Sequence, residues 1–237
     1  MAKKTAIGYF RQILLSIIAL IVFSLCFTPI VVFGYLLLKY FSFTTFSHYL
    51  LVPVFLYIGT LLLFVSTLLI SGIFIKIFRI RYKTGIYEYT FNNKNTFRWI
   101  IICTLYTPCR WILETFPLGG LRNTYLRLLG MKIGKNTLVG GVIKDPCVTE
   151  FGDNVTMGEY AIIYGHIHNF EKALIDIRKV VIGSNCVIGA GSIIMPGAKL
   201  EDSVTLAAGA VVAGNQILKK GKTYAGIPAR EIKKQKK

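Results

Sequence analysis

Residues 162–179, IIYGHIHNFEKALIDIRK, carry two of the chain's three histidines. Imidazole exchanges a proton near neutral pH, so it suits the removal of a proton from an attacking hydroxyl or amine. His166 and His168 are two residues apart, and on an extended strand they face the same side. His168 is the expected general base. His166 is expected as a second contact to the substrate, with Tyr164 and Asn169 as further substrate contacts beside it. A base of this kind needs a carboxylate to orient it, and two are candidates. Glu150 lies eighteen positions before His168, and Glu171 lies three positions after it.

The two histidines sit where a six-residue rhythm is interrupted. From Ile133 the chain reads IGKNTL, VGGVIK, DPCVTE, FGDNVT, MGEYAI, IYGHIH and, beyond the insert, IGSNCV, IGAGSI, IMPGAK, LEDSVT, LAAGAV, VAGNQI. A bulky apolar residue opens nearly every unit. A small or β-branched residue takes the fifth place: Thr137, Thr149, Val155, Ala161, Cys186, Ser192, Ala198, Val204 and Ala210. Asp145 is the one opener that breaks the rule. One short strand per unit, with three units per triangular coil, buries an interior that no single unit buries alone. Coils of eighteen residues stacked at strand spacing would put Glu150 about 4.8 Å from His168.

Before the solenoid the composition changes. Residues 13–38 and 49–75 are free of charge and longer than the roughly 20 residues that span a bilayer. They are read as two transmembrane helices, the first too long for a signal-peptide core. Lys3, Lys4 and Arg11 precede the pair, Lys76, Arg79, Arg81 and Lys83 follow it, and the loop between offers only Lys39. Both ends of the hairpin, and the solenoid with them, are therefore expected in the cytoplasm. Residues 97–116 place Trp99, Trp111, Arg98 and Arg110 at their edges and contain Pro108, as expected of a broken segment lying at the headgroup level. Residues 121–129 read as a short amphipathic helix. The resulting division is a transmembrane helical hairpin over 1–83, interfacial and amphipathic connecting helices over 84–130, and a β-solenoid with a basic tail over 131–237.

The net charge of +17 gathers beside the apolar runs and in the tail Lys233, Lys234, Lys236 and Lys237. No basic platform interleaved with aromatics accompanies it, which argues for anionic lipid headgroups rather than nucleic acid. Five cysteines without a C-x-x-C pair indicate neither a disulfide framework nor a zinc knuckle.

The stretch VVIGSNCVIGAGSIIMPGAKLEDSVTLAAGAVV and the element YAGIPAR resemble the left-handed β-helix, hexapeptide-repeat acyltransferases, over residues 126–232. The maltose and galactoside acetyltransferases are similar in these coils, and IIYGHIH resembles the segment ending in their catalytic histidine, which places His168 there. The lead-in LRLLGMKIG, the TEF at 149–151 and the H-x-F-E pattern at 168–171 also resemble the membrane-embedded C-terminal modules of the ε-poly-lysine synthetase type. The resemblance implies a homotrimer with sites at subunit interfaces and acetyl-CoA, or another acyl-CoA, as co-substrate, with no metal. It places pantetheine at Ala190 and Ala208, the adenine end near Ile227 and Pro228, and phosphates near Lys222 and Arg230. Ala190 would also supply an oxyanion donor. Three positions depart from the pattern. An acceptor-binding asparagine has no counterpart, an aromatic beside the CoA arm is Val187, and a lysine near the phosphates is Gly214.

The expected fold class is thus membrane α plus all-β solenoid: a two-helix transmembrane hairpin and interfacial helices, then a left-handed parallel β-helix of about four coils with one inserted loop. The expected function is a membrane-anchored O- or N-acyltransferase acting on a membrane-associated hydroxyl or amine. A non-catalytic trimeric membrane scaffold and an aminoacyl-thioester condensing enzyme are the alternatives. A zinc hydrolyase needs three histidines at one site, and with His48 placed outside the solenoid each subunit offers two.

Overall fold

The computed structural model describes residues 2–116 and 119–232. The tail cations Lys233, Lys234, Lys236 and Lys237 lie outside it, as do the side chains of Lys3 and Lys4. The first apolar run forms α1 (Ala2–Cys26) and α2 (Thr28–Tyr40), not one uninterrupted helix. Pro29 at the start of α2 has no N–H to continue the ladder, and the chain turns at Phe27. Ser66 Oγ donates to the Cys26 carbonyl at 2.7 Å, satisfying a group beside the break. After the short α3 (Phe46–Tyr49), α4 (Val52–Ile77) runs back against both. These two apolar stretches, 6–40 and 46–77, are long and apolar enough to cross a membrane.

The segment expected to be wholly helical contains a strand, β1 (Gly85–Glu88), before α5 (Lys94–Thr115) and α6 (Gly119–Leu128). Asn93 caps α5, its Oδ1 accepting from the amides of Asn95 and Thr96 at 2.9 and 3.2 Å. α5 continues through Pro108 instead of breaking there. Nor is it only a surface element, because Phe97, Trp99, Ile102, Leu105, Tyr106 and Leu113 are buried. Trp111, at 69% exposed, remains the outward aromatic of this helix. α6 closes the first coil: Leu126, Leu129 and Met131 are buried and Asn123 Nδ2 donates to the Thr137 carbonyl at 2.7 Å. A solenoid end left open would expose its core.

From Lys132 the chain winds through four triangular coils and part of a fifth, with three sheets as its faces, parallel throughout except for the final strand Arg230–Glu231, which turns back antiparallel. The openers Val139, Phe151, Met157, Ile163, Ile182, Ile188, Ile194, Leu200, Leu206, Val212 and Leu218 are buried, as are all nine small fifth-place residues. Each buried aliphatic side chain contributes about 2 kcal/mol. The corners need left-handed backbone, which asparagine tolerates. Asn136, Asn154, Asn185 and Asn215 all have φ between 51° and 60°. The side chains of the first three ladder from coil to coil, Asn136 Nδ2 to Asn154 Oδ1 at 3.4 Å and Asn154 Nδ2 to Asn185 Oδ1 at 3.1 Å.

The winding is irregular in two places. Strand partners are usually eighteen apart, as for Val181 and Lys199, but Glu150 pairs with Val181, thirty-one away, so the insert adds thirteen residues. On one face of the first coil the offset is twenty, Val142 with Ile162 and Ile143 with Ile163. Ile143 therefore fills the inward place that the hexad reading gave to Asp145, and a 3-10 turn over Pro146–Val148 restores the register.

Candidate active site

The insert folds as an antiparallel hairpin, His166–Asn169 with Leu174–Ile177, and β1 pairs with the second strand to make a three-stranded sheet. Period-two alternation puts His166 and His168 on one face with Ile175 and Ile177, and both isoleucines are buried. The expectation that the two imidazoles share a side holds: their ring centroids are 5.1 Å apart. Trp99 of α5 lies edge-on to both, at 4.9 Å from His166 and 5.5 Å from His168.

The carboxylate at this site is neither Glu150 nor Glu171. Asp145, fully buried, places Oδ2 at 2.7 Å from His166 Nδ1. The twenty-residue offset explains the meeting, since Gly165 stands one coil above Asp145 and donates its amide to the same oxygen at 2.8 Å. A Cβ at position 165 would approach Asp145 Cβ and Val148 Cγ2 to 2.7 Å, so only glycine lets the coils come this close. The other oxygen, Oδ1, accepts from Trp99 Nε1 at 3.0 Å and from the Tyr82 hydroxyl at 3.1 Å. Burial pushes the Asp145 carboxyl up, but the His166 hydrogen bond and charge, the Gly165 amide and the Trp99 indole outweigh it and hold the group below the usual carboxylate range. The carboxylate is ionised and accepts, so His166 Nδ1 carries the proton and Nε2 is left as the basic nitrogen.

Glu150 is paired elsewhere. Its stacking partners are Lys132 and Val181, and Lys132 and Lys179 each place Nζ at 2.7 Å from one of its oxygens. The insert removed the eighteen-residue stack that would have set it under His168. Burial pushes the Glu150 carboxyl up, but the hydrogen bonds and charges of Lys132 and Lys179 together hold it below its ordinary value. Glu171 is exposed in the hairpin turn and makes no hydrogen bond or ion pair among the described residues. It lines an open hollow of about 600 Å³ with Ile86, Ile167, His168, Phe170 and Lys172. Asn169 Oδ1 caps the turn, accepting from the Lys172 amide at 3.0 Å, and Tyr164 is half-buried at the last solenoid position before the hairpin.

His168 differs from His166. It sits between Tyr89 at 4.6 Å and Phe170 at 5.4 Å, and its Nδ1 is buried without a partner. Burial, and then the neighbouring His166, push the imidazole below its ordinary value against the pull of Asp145. Both effects favour its neutral form.

Residues 179–214 match the family described as bacterial transferase hexapeptide (six repeats). A Bacillus subtilis (strain 168) protein named "Putative acetyltransferase YvoF" is 33% identical over 124 residues, which are 49% of this chain and 68% of that protein. The chain belongs to the hexapeptide-repeat transferase family. Its solenoid is accordingly a left-handed β-helix. Among solved structures, a maltose O-acetyltransferase from Clostridium difficile 630 is 25% identical, covering 51% of this chain and 78% of its own, with a TM-score of 0.42. A galactoside acetyltransferase in complex with coenzyme A is 19% identical over 50% of this chain and 72% of its own, with a TM-score of 0.40.

In this hexapeptide-repeat transferase the residues expected to hold a donor lie at another corner of the prism. Ala190 and Ala208 are exposed and stack in one column with Glu159, and their amides donate to no backbone carbonyl among the described residues. Ile227 and Pro228 are exposed above them, and Arg230 is exposed. Lys222 is paired with Glu231 at 2.9 Å. Among the described residues no group of three His, Cys, Asp or Glu side chains converges as a metal site would require. Sequence reasoning passed over Asp145, Tyr82 and Trp99. The signal for Asp145 was its place as the acidic opener in an apolar column. Tyr82 and Trp99 carry no local signal, because they reach the site from another part of the chain.

Proposed function

We propose that this chain is a membrane-anchored acyltransferase that moves an acyl group from an acyl-CoA, acetyl-CoA first among them, to a hydroxyl or amine of a membrane-associated acceptor. His166, rather than His168, acts as the general base. The Asp145–His166 pair at the inserted corner carries this reading. His166 Nε2 takes the acceptor's proton as its oxygen or nitrogen bonds to the thioester carbonyl carbon, and the imidazolium, steadied by Asp145, returns that proton to the departing CoA thiolate. A corner amide such as that of Ala190 stabilises the oxyanion. His168, neutral and ringed by Tyr89 and Phe170, lines the approach with Tyr164, Asn169 and Glu171.

The free amides of Ala190 and Ala208 suit an extended pantetheine arm, and Arg230, with Lys222 released from Glu231, suits its phosphates. These corners and the histidine hairpin leave the prism at different edges, which favours a site assembled from neighbouring subunits of a homotrimer. The two apolar stretches anchor the enzyme, with the solenoid on the cytoplasmic side, and deliver it to a lipid-linked acceptor. The anchor of residues 1–83, the connecting segment of 84–130 and the solenoid of 131–237 then form one working unit.

The test supplies labelled acetyl-CoA and host membrane extract to the purified protein and identifies the labelled product by mass spectrometry. The reading expects transfer by the wild type and none by His166→Ala or by His166→Gln, each still folded at the assay temperature. Transfer that survives His166→Ala but is lost in His168→Ala would return the base role to His168.

A further inference from the structure

Resting on the reading of Asp145–His166 as the catalytic pair, we propose that Tyr82 and Trp99 are positioning residues for it, so that the solenoid is complete for catalysis only with the membrane-side segment packed on it. An ionised carboxylate offers about four acceptor sites, and those of Asp145 are divided evenly. Gly165 and His166, both on the solenoid, take Oδ2. Tyr82, which follows α4, and Trp99, in α5, take Oδ1.

A solenoid without that segment would lack both side-chain donors to Oδ1. Trp99 has a second task, since its ring lies edge-on to both imidazoles and fixes their planes. The segment is bound to the site elsewhere as well. β1 hydrogen-bonds the hairpin, the Tyr89 amide donates to the Ala173 carbonyl at 2.7 Å, and the Tyr106 hydroxyl donates to the Ile143 carbonyl at 2.8 Å. These other contacts dock the segment without involving Asp145. Two side-chain donors aimed at one carboxylate oxygen are more than docking requires.

The consequence is electrostatic. Each donor draws negative charge away from the imidazole side of Asp145, and removing one makes Asp145 hold the His166 proton more tightly. The other ionisable groups around the pair are His168 from the insert, Tyr89 from the turn after β1, Cys103 from α5, Cys147 from the 3-10 turn and Lys144 beside Asp145. All are unchanged in the variants that test the idea.

Tyr82→Phe deletes one oxygen and Trp99→Phe deletes the indole N–H, each in the full-length chain in membranes. Transfer from labelled acetyl-CoA is measured for kcat, KM and the pH profile of kcat/KM. The expectation for each is a fall of about tenfold in kcat with KM within about twofold, and an acidic limb moved to higher pH. If activity depends on His166 while both variants keep the wild-type rate and limb, the positioning role is wrong and the catalytic pair stands. A rate that falls only in step with melting temperature, the limb unmoved, assigns the two residues to packing and also overturns it. Full activity in His166→Ala removes the pair itself.

Discussion

The coils from Val180 onward and the coils before the insert obey the same repeat but do different work. The later coils keep the eighteen-residue offset on all three faces, and their corners carry glycine, alanine and asparagine. The earlier coils slip by two residues at Asp145, extrude a hairpin at Gly165, and are covered by α5 and α6. Regularity provides stacking, which is all that a column of Ile, Leu and Val requires. Each departure brings in something stacking has no use for: a buried carboxylate, two imidazoles, an indole. The candidate base and its carboxylate gather where the repeat fails, and the regular coils offer the corner amides proposed for the donor.

The sharpest way to break this contrast is to disable one region and then the other. Replacing His166 by Ala is expected to cut acyl transfer by about 10³-fold in molecules that remain folded, whereas Ile194→Ala in a later coil should leave the activity of each folded molecule intact. Thermal melting beside the transfer assay separates the two. Equal losses of activity would end the division of labour.

Stability offers the next test. Ile194→Ala opens a cavity in a close-packed column and should cost about 3 kcal/mol. Asp145→Ala should cost about as much for a different reason, since it strands the Tyr82, Trp99 and Gly165 donors without an acceptor. Denaturant titration of Asp145→Asn, which keeps the shape and a partial acceptor, should recover part of that loss but not the activity.

Acidification should weaken the earlier coils first. His168 sits below its ordinary value in the folded state, so the unfolded chain takes up its proton sooner and stability begins to fall as pH drops through the normal imidazole range. Asp145, also held low, contributes stability that is full above the unfolded carboxyl value and is lost as pH falls through the folded one. Hydrogen exchange across this range should show the hairpin and Asp145 corner opening before the coils beyond Val180. Simultaneous opening of both halves would contradict it.

The smallest effect belongs to Glu150. Its side chain is 26% exposed and its partners are more exposed still, so Glu150→Gln should change stability by less than about 1 kcal/mol, less again at high salt, and leave transfer within about twofold. A loss of several hundred-fold would restore Glu150 to the catalytic site.

What the sequence discloses follows the same division. The hexads, the buried openers and the small fifth residues are local and periodic, so the solenoid, its insert and the shared face of the two histidines could be read directly. The partner of the imidazole could not, because an eighteen-residue coil points to Glu150 and the true offset at that corner is twenty. Asp145 stood out as an exception, yet its meaning depended on a slip that only the folded coil reveals. Trp99 and Pro108 read as features of a broken interfacial segment. In the fold, α5 runs through Pro108 and presents the Trp99 indole to a carboxylate forty-six residues away. Side chains that act across such distances leave no periodic trace.

The asparagine ladder bears on how the insert is accommodated. Asn154 reaches Asn185 across the thirteen added residues as readily as Asn136 reaches Asn154 across none. The neighbouring turns therefore do not register how long the excursion is. Lengthening the hairpin at its exposed turn, residues 170–173, would therefore leave the stacking of these coils as it is.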